Sequence, residues 1–295
     1  MTSGGNATFE TLHSSSGVLE APTWDGAGGV YFSNVTAGGI YRYDLATKAV
    51  SEAYPHRRGI GGLALTERGE LVLSGRNIGV QEAVGQTRVL LEGAALDREV
   101  IGFNDLTISP QGTVVAGALG PGSINPHAID PYAPAPPEGA GTGCFCEVGS
   151  AGVRILADDI AHPNGVAYSP DGRSVYVSDS LRRCVWRFSA DEHGWHDRQM
   201  FARFDGALTD GMSVATDGSL WLALALASEI VVLEPDGGER MRIATPAPLT
   251  TSVHFGGDDM GAIFVTSGSH TGEEPATLVT MNVNATGSIV PRARV

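Results

Sequence analysis

The chain has 295 residues, 42% hydrophobic and 18% charged, which is ample material for a core and unlike a disordered segment. Its 19 Lys and Arg against 33 Asp and Glu leave a net charge of −14, which argues against nucleic acid as a partner and for a cation. No run reaches the ~18 apolar residues of a membrane-crossing helix, so no membrane partner is expected.

The N-terminal stretch, Met1 to Gly17, is polar and rich in Ser and Gly, without the basic-then-apolar order of a signal peptide. Cys144, Cys146 and Cys184 match neither a zinc spacing nor an even disulfide framework. They predict reduced thiols, packed as small apolar residues, in a cytoplasmic protein. The acidic surface suits a monomer or dimer.

The 40 glycines, nearly twice the usual ~7%, show no Gly-X-Y period and signal many tight turns between short strands. One phrase recurs along the chain, an alternating apolar run, a Gly turn and a second alternating run. It begins at Glu20, Gly61, Asn104, Asn164, Asp210 and Thr251, and its turn glycines are Gly28, Gly69, Gly112, Gly172, Gly218 and Gly261. Their spacings are 41, 43, 60, 46 and 43. Each phrase reads as a β-hairpin. Further strands follow most of them, at Gly39–Asp44, Thr87–Glu92, Cys184–Asp191 and Glu229–Gly237.

Four strands per ~43 residues is the period of a propeller blade, and six copies predict an all-β, six-bladed β-propeller with a central metal-binding channel. The whole of 1–295 is expected to be one such domain. Residues Ala7 to His13 are expected to latch the ring by pairing beside Thr277–Val283 in the last blade. The long spacing holds an insert of about 17 residues. Gly120 to Gly143 carries six Pro and five Gly, so a loop is expected there, on the binding face. A shorter insert spans Asp191 to Asp197.

Counting eight residues back from each turn Gly gives Glu20, Gly61, Asn104, Asn164 and Asp210; Thr251 takes this position in the sixth repeat, whose turn is longer. One register position is one place on each blade, where the innermost strand begins beside the axis. Glu, Asn, Asn and Asp are oxygen donors, with no thiolate or imidazole among them. Hard cations choose such sets, and Ca²⁺ accepts six to eight oxygens. Asn and Asp before a strand also serve as ordinary turn residues, but that does not explain Glu20 followed by Ala21-Pro22.

At these residues the chain resembles the senescence marker protein, gluconolactonase and luciferin-regenerating-enzyme family. Leu19-Glu20-Ala21-Pro22-Thr23-Trp24-Asp25 with Val30-Tyr31-Phe32-Ser33 resembles its opening, and Gly102-Phe103-Asn104-Asp105 its Arg-Phe-Asn-Asp motif. Pro163-Asn164-Gly165-Val166 and Thr209-Asp210-Gly211-Met212 resemble two further motifs. The resemblance spans about Val18 to Ser267. It implies a propeller with one divalent cation, Ca²⁺ ahead of Mn²⁺, Zn²⁺ or Mg²⁺, held by Glu20, Asn164 and Asp210. Asn104 becomes a fourth ligand or a substrate contact.

The resemblance further implies a hydrolase that opens a lactone. Gly102 stands where the sugar-lactone members carry Arg, so a less polar lactone or ester is expected. Phe103, His127, Tyr132 and His254 would shape its site. In that reading the cation polarises the ester carbonyl, and Asp210, or second Glu20, takes the proton of the attacking water. No G-x-S-x-G elbow suggests a serine nucleophile. His162 lies two residues before Asn164 and is a further candidate for the channel mouth, whereas His193 and His196 sit in a charged outer insert. The alternatives on the same metal are phosphotriester hydrolysis, an isomerase or lyase step through an enolate, and a non-catalytic calcium-binding propeller.

Overall fold

The hairpin is the unit from which the fold grows. Gly28, Gly69, Gly112, Gly172 and Gly218 have φ of +83°, +82°, +85°, +71° and +85°, the left-handed region that a Cβ disfavours. The amides of Gly69, Gly112, Gly172 and Gly218 each donate to the carbonyl three residues back, which repeats one turn around the ring. The sixth turn differs from expectation. There Met260, at +56° with its amide donating to the Gly257 carbonyl, takes the left-handed role instead of Gly261, and five residues separate Gly256 from its strand partner Ala262, as five separate Val214 from Leu220.

The computed structural model describes residues 8–123, 130, 132–269 and 273–295. These form six four-stranded antiparallel sheets, with the inner strands Leu19–Trp24, Leu63–Leu65, Gly102–Ile108, Pro163–Tyr168, Leu208–Val214 and Leu249–Gly256. The arrangement is the six-bladed propeller that the repeat predicts. The N-terminal strand Glu10–Ser15 pairs antiparallel with Ala276–Asn282, so the first segment of the chain completes the last blade. Among the described residues there is no α-helix, only the short 3-10 turns Gly93–Leu96 and Ser180–Arg182. None is long and apolar enough to cross a membrane.

Apolar side chains gather between neighbouring blades rather than at the axis. Phe103, Ile108 and Val114 pack with Val72, Ile78 and Val80 between the second and third blades. Trp221 meets Phe255 edge-on at 5.2 Å between the fifth and sixth. Trp24 stacks on Phe264 at 5.9 Å between the sixth and first. Burial of these faces drives the ring to close and leaves its axis to polar groups. The segment Asp191–Asp197 is no loose insert. It closes a long outer hairpin whose Trp195 turns inward against Phe145 and Phe188, with Nε1 donating to Tyr168 Oη at 3.1 Å. His193 and His196 remain exposed, as expected. The three cysteines are buried and unbridged.

The C-terminal segment spans the hairpin-turn face. Gly287 bridges Ala215 of the fifth blade and Ala293 bridges Thr66 of the second, so the segment crosses between opposite blades. Deleting residues 1–16 would expose the edge of Ala276–Asn282 and remove Leu12, which packs on the core between the sixth and first blades. The expected loss is at least about 2 kcal/mol in denaturant unfolding, with concentration-dependent aggregation by light scattering.

Candidate functional site

The register position becomes a site because the inner strands are irregular at it. The pairing is interrupted between Glu20 and Thr23, Phe103 and Leu106, Pro163 and Val166, Thr209 and Met212, and Thr250 and Ser252. In each case the inner strand has one residue more than its partner. Such bulges re-aim side chains out of strict alternation. Asn104, Asn164 and Asp210 lie within these bulges, and Glu20 immediately precedes its own.

The result is a cluster of buried oxygen donors around the axis. Glu20 and Asp105 are each 8% exposed, Asn164 4% and Asp210 1%, so desolvation acts on every carboxylate. Burial raises the Glu20 carboxyl well above its ordinary range, and the nearby Asp210 and Asp105 charges raise it further. Asp210 is raised by burial and by Asp105, against the hydrogen bonds it receives from Asn164 and the Gly211 amide. Burial moves Asp105 up to about 7. Among the described residues no ion pair reaches Glu20 or Asp105, and Glu20 Oε2 is buried without a hydrogen-bond partner.

Neighbouring blades hold these donors in place. Asn164 Nδ2 donates to Ser180 Oγ at 3.1 Å, and Ser180 Oγ donates in turn to the Thr209 carbonyl at 2.6 Å, one residue before Asp210. Asn104 Nδ2 donates to the Pro163 carbonyl at 3.0 Å, one residue before Asn164. At the sixth register position Thr251 Oγ1 donates to the Leu19 carbonyl at 2.6 Å, so it supports the strand of Glu20. At the second position a Cβ on Gly61 would lie 2.1 Å from Asn104 Oδ1, so Gly61 is the space that Asn104 occupies.

The donor set suits a hard divalent cation. Burial raises the proton affinity of all three carboxylates, neighbouring carboxylates add to this at Glu20 and Asp210, Glu20 offers an unsatisfied oxygen, and two amides add neutral donors. Among the described residues no three His, Cys, Asp or Glu side chains are gathered to hold an ion by themselves. Amide and solvent or substrate oxygens must therefore complete any coordination.

The other expected residues lie elsewhere. Phe103 is 1% exposed and belongs to the core between the second and third blades, where Asn104 follows it but it offers no channel surface. His254 lines a cavity of about 940 Å³ that opens beneath the donors towards the hairpin turns, together with Asp105, Trp24, Met212 and Ser252. It stands three residues, about 10 Å, along its strand from Thr251, and the protein around it pushes its pKa down to about 4. His127 lies outside the described residues. His162 is buried, its amide donating to Asp179 Oδ1 at 3.1 Å. Tyr132 is 79% exposed, against Gly206.

Sequence reasoning passed over Asp105. It adjoins Asn104, and regular alternation would turn consecutive side chains to opposite faces; the bulge opposite Gly117 removes that rule. A third carboxylate next to a proposed donor in a low-charge repeat was the available signal.

Two outcomes follow from this geometry. Asp105 has a folded pKa above its unfolded one, so its stability contribution is present below about 4 and lost as pH rises towards 7. In chelator, the melting temperature is expected to fall on the order of 5 °C between pH 5 and 7.5, and Asp105→Asn to flatten that fall. Gly61→Ala is expected to displace Asn104 and to weaken Ca²⁺ binding at least tenfold by calorimetry, with the circular dichroism of the propeller retained.

Comparison with known proteins supports this assignment of the fold. Residues 18–269 match the family model described as the SMP-30/Gluconolactonase/LRE-like region. The chain is 29% identical over 270 residues to a 6-deoxy-6-sulfogluconolactonase of Pseudomonas putida, covering 89% of this chain and 87% of the relative. It is 25% identical over 285 residues to a pentonolactonase of Haloferax volcanii, covering 91% of each. A calcium-binding protein, regucalcin, from Agrobacterium tumefaciens superposes with a TM-score of 0.83 at 20% identity over 98% of both chains. The chain belongs to the SMP-30/gluconolactonase/LRE-like family.

Proposed function

We infer that the protein is a divalent-metal-dependent hydrolase that opens a lactone. Lactone hydrolysis in general is the activity that its lactonase relatives support. The observation that carries the metal-dependent reading is the buried cluster of Glu20, Asp105 and Asp210, with Asn104 and Asn164 beside it and Glu20 Oε2 unsatisfied. Glu20, Asn104, Asn164 and Asp210 would hold the cation, Ca²⁺ before Mn²⁺, Zn²⁺ or Mg²⁺. When bound, it supplies Lewis-acid polarisation of the ester carbonyl.

The chain's own groups then divide the work. Asp210, raised by burial and by Asp105, is a stronger base than a solvated carboxylate and takes the proton of the attacking water. Asn164 and the Gly211 amide fix its carboxylate by hydrogen bonds. Glu20 is the second candidate for the base. Ring opening breaks the acyl–oxygen bond, and the proton taken by the base returns to the leaving alkoxide, so no serine or cysteine is consumed. The burial of Glu20, Asp105, Asn164 and Asp210 excludes bulk water and strengthens each charge interaction.

The substrate we favour is a lactone or ester less polar than a sugar lactone. Gly102 offers no side-chain donor where it precedes the site, and the segment that follows the third blade's second strand is rich in proline.

A screen of sugar, aliphatic and aromatic lactones, read as acid release after chelation and metal restoration, tests the reading. Turnover is expected to need the metal, and Asp210→Asn to lower kcat about 10³-fold. The same substitution removes a buried like charge, so the chelated variant is expected to melt higher than the chelated parent. Metal-dependent melting without turnover on any lactone would favour a calcium-binding propeller instead.

A further inference from the structure

The 3-10 turn Ser180–Arg182 does two things at once. Its first residue, Ser180, receives Asn164 Nδ2 at 3.1 Å and reaches the Thr209 carbonyl at 2.6 Å. Its last, Arg182, is 2% exposed and points the other way, into the insert. The guanidinium uses all five of its donors. Nε donates to the Pro136 carbonyl at 3.1 Å, and Nη2 to the Pro137 carbonyl and to Asp159 Oδ1, both at 2.7 Å. Nη1 donates to the Asp159 carbonyl at 2.6 Å and to Asp179 Oδ2 at 2.9 Å.

Both carboxylates carry the tie onward. Asp179, fully buried, accepts the amides of Ala161 and His162 at 3.1 Å each, on the run of chain that leads into Asn164. Asp159 accepts the amides of Gly139 and Gly141 at 2.8 and 2.7 Å, within the insert. The next residue, Arg183, donates from Nη1 to the Ala133 carbonyl at 2.8 Å. A segment with prolines at 134, 136 and 137 has few amides to offer a sheet, so its carbonyls need donors from outside. Two adjacent arginines supply them.

We propose that Arg182 is a positioning residue of the site: it locks the segment 132–142 and the chain entering Asn164 into one arrangement, and so sets the affinity for substrate rather than the chemical step. This rests on the lactonase reading for its substrate, but the clamp itself does not. The segment is held on the fourth blade by Arg182 and Arg183, and Ser180, in the same turn, holds Asn164. No residue of the clamp belongs to the donor set.

The test uses the full-length, metal-loaded protein. Arg182→Lys keeps a cation between Asp159 and Asp179 but has three donors for five acceptors. Arg183→Ala removes only the bond to Ala133 and carries the decision if the first variant does not fold. Cleavage by a glutamyl endopeptidase after Glu138, mapped by mass spectrometry, reads the segment. Steady-state kinetics on the lactone that the parent opens fastest read the site. Arg182→Lys is expected to speed cleavage at Glu138 at least tenfold and to raise KM about tenfold, with kcat within about twofold. Arg183→Ala moves both in the same direction by less. Cleavage at the parental rate, an unchanged KM, or a lower kcat at constant KM overturns the proposal. If the parent opens no lactone, the lactonase reading fails by itself. Cleavage and Ca²⁺ affinity by calorimetry then decide the clamp: faster cleavage with weaker binding supports it, and a parental value of either overturns it.

Discussion

Three carboxylates held out of water around one axis repel one another, and much of the inner ring is built to keep them there. Glu20, Asp105 and Asp210 come from the first, third and fifth blades, each acting on another through the channel. Their separation in sequence means that only ring closure assembles them. Closure is driven by apolar surfaces between blades, which have nothing to do with the charges. The apolar energy of six interfaces thus holds an arrangement that electrostatics alone would scatter. A cation is the natural complement of such a cluster, because it removes the repulsion without adding a side chain.

The backbone around the donors is correspondingly tight. A Cβ at Gly165 would lie 2.5 Å from the Asp210 carbonyl, and one at Gly211 would lie 2.1 Å from Ser252 Oγ. These two glycines follow Asn164 and Asp210 directly, so each donor is paired with a residue that lets the next blade approach. The bulges act in the same place. They spend one residue of regular pairing per blade, and in return the donors leave the alternation that would bury them between sheets.

Much of this was legible in the sequence because a propeller repeats its geometry. The turn glycines set the period, the period sets the blades, and one register position holds Glu20, Asn104, Asn164 and Asp210. What escaped was whatever breaks the repeat or acts across it. Asp105 escaped because a bulge cancels alternation. Phe103 was read as a substrate contact from its neighbours in a motif, yet it is the third blade's anchor in the core. His254, three residues along its strand from Thr251, stands in the cavity beneath the donors beside Asp105. The inward turn of Trp195, the crossing of the C-terminal segment and the bonds of Arg182 are all contacts between distant segments, which no local pattern encodes.

The two register positions without a donor also shape the site. Gly61 has no side chain, and Asn104 fills the space it leaves. Thr251 turns its hydroxyl into the backbone beside Glu20, on the Leu19 carbonyl. Neither position is spare: each sits next to a donor and fixes where that donor can stand. Four further hydrogen bonds run from blade to neighbouring blade at the same level, Ser33 to the Ile60 carbonyl, Asn104 to that of Pro163, Ser180 to that of Thr209 and Thr23 to that of Leu63. Were all six positions to carry the same carboxylate, the like charges would only add to the repulsion; two amides, a glycine and a threonine among the six keep the acidic groups to the few that the ring can bury.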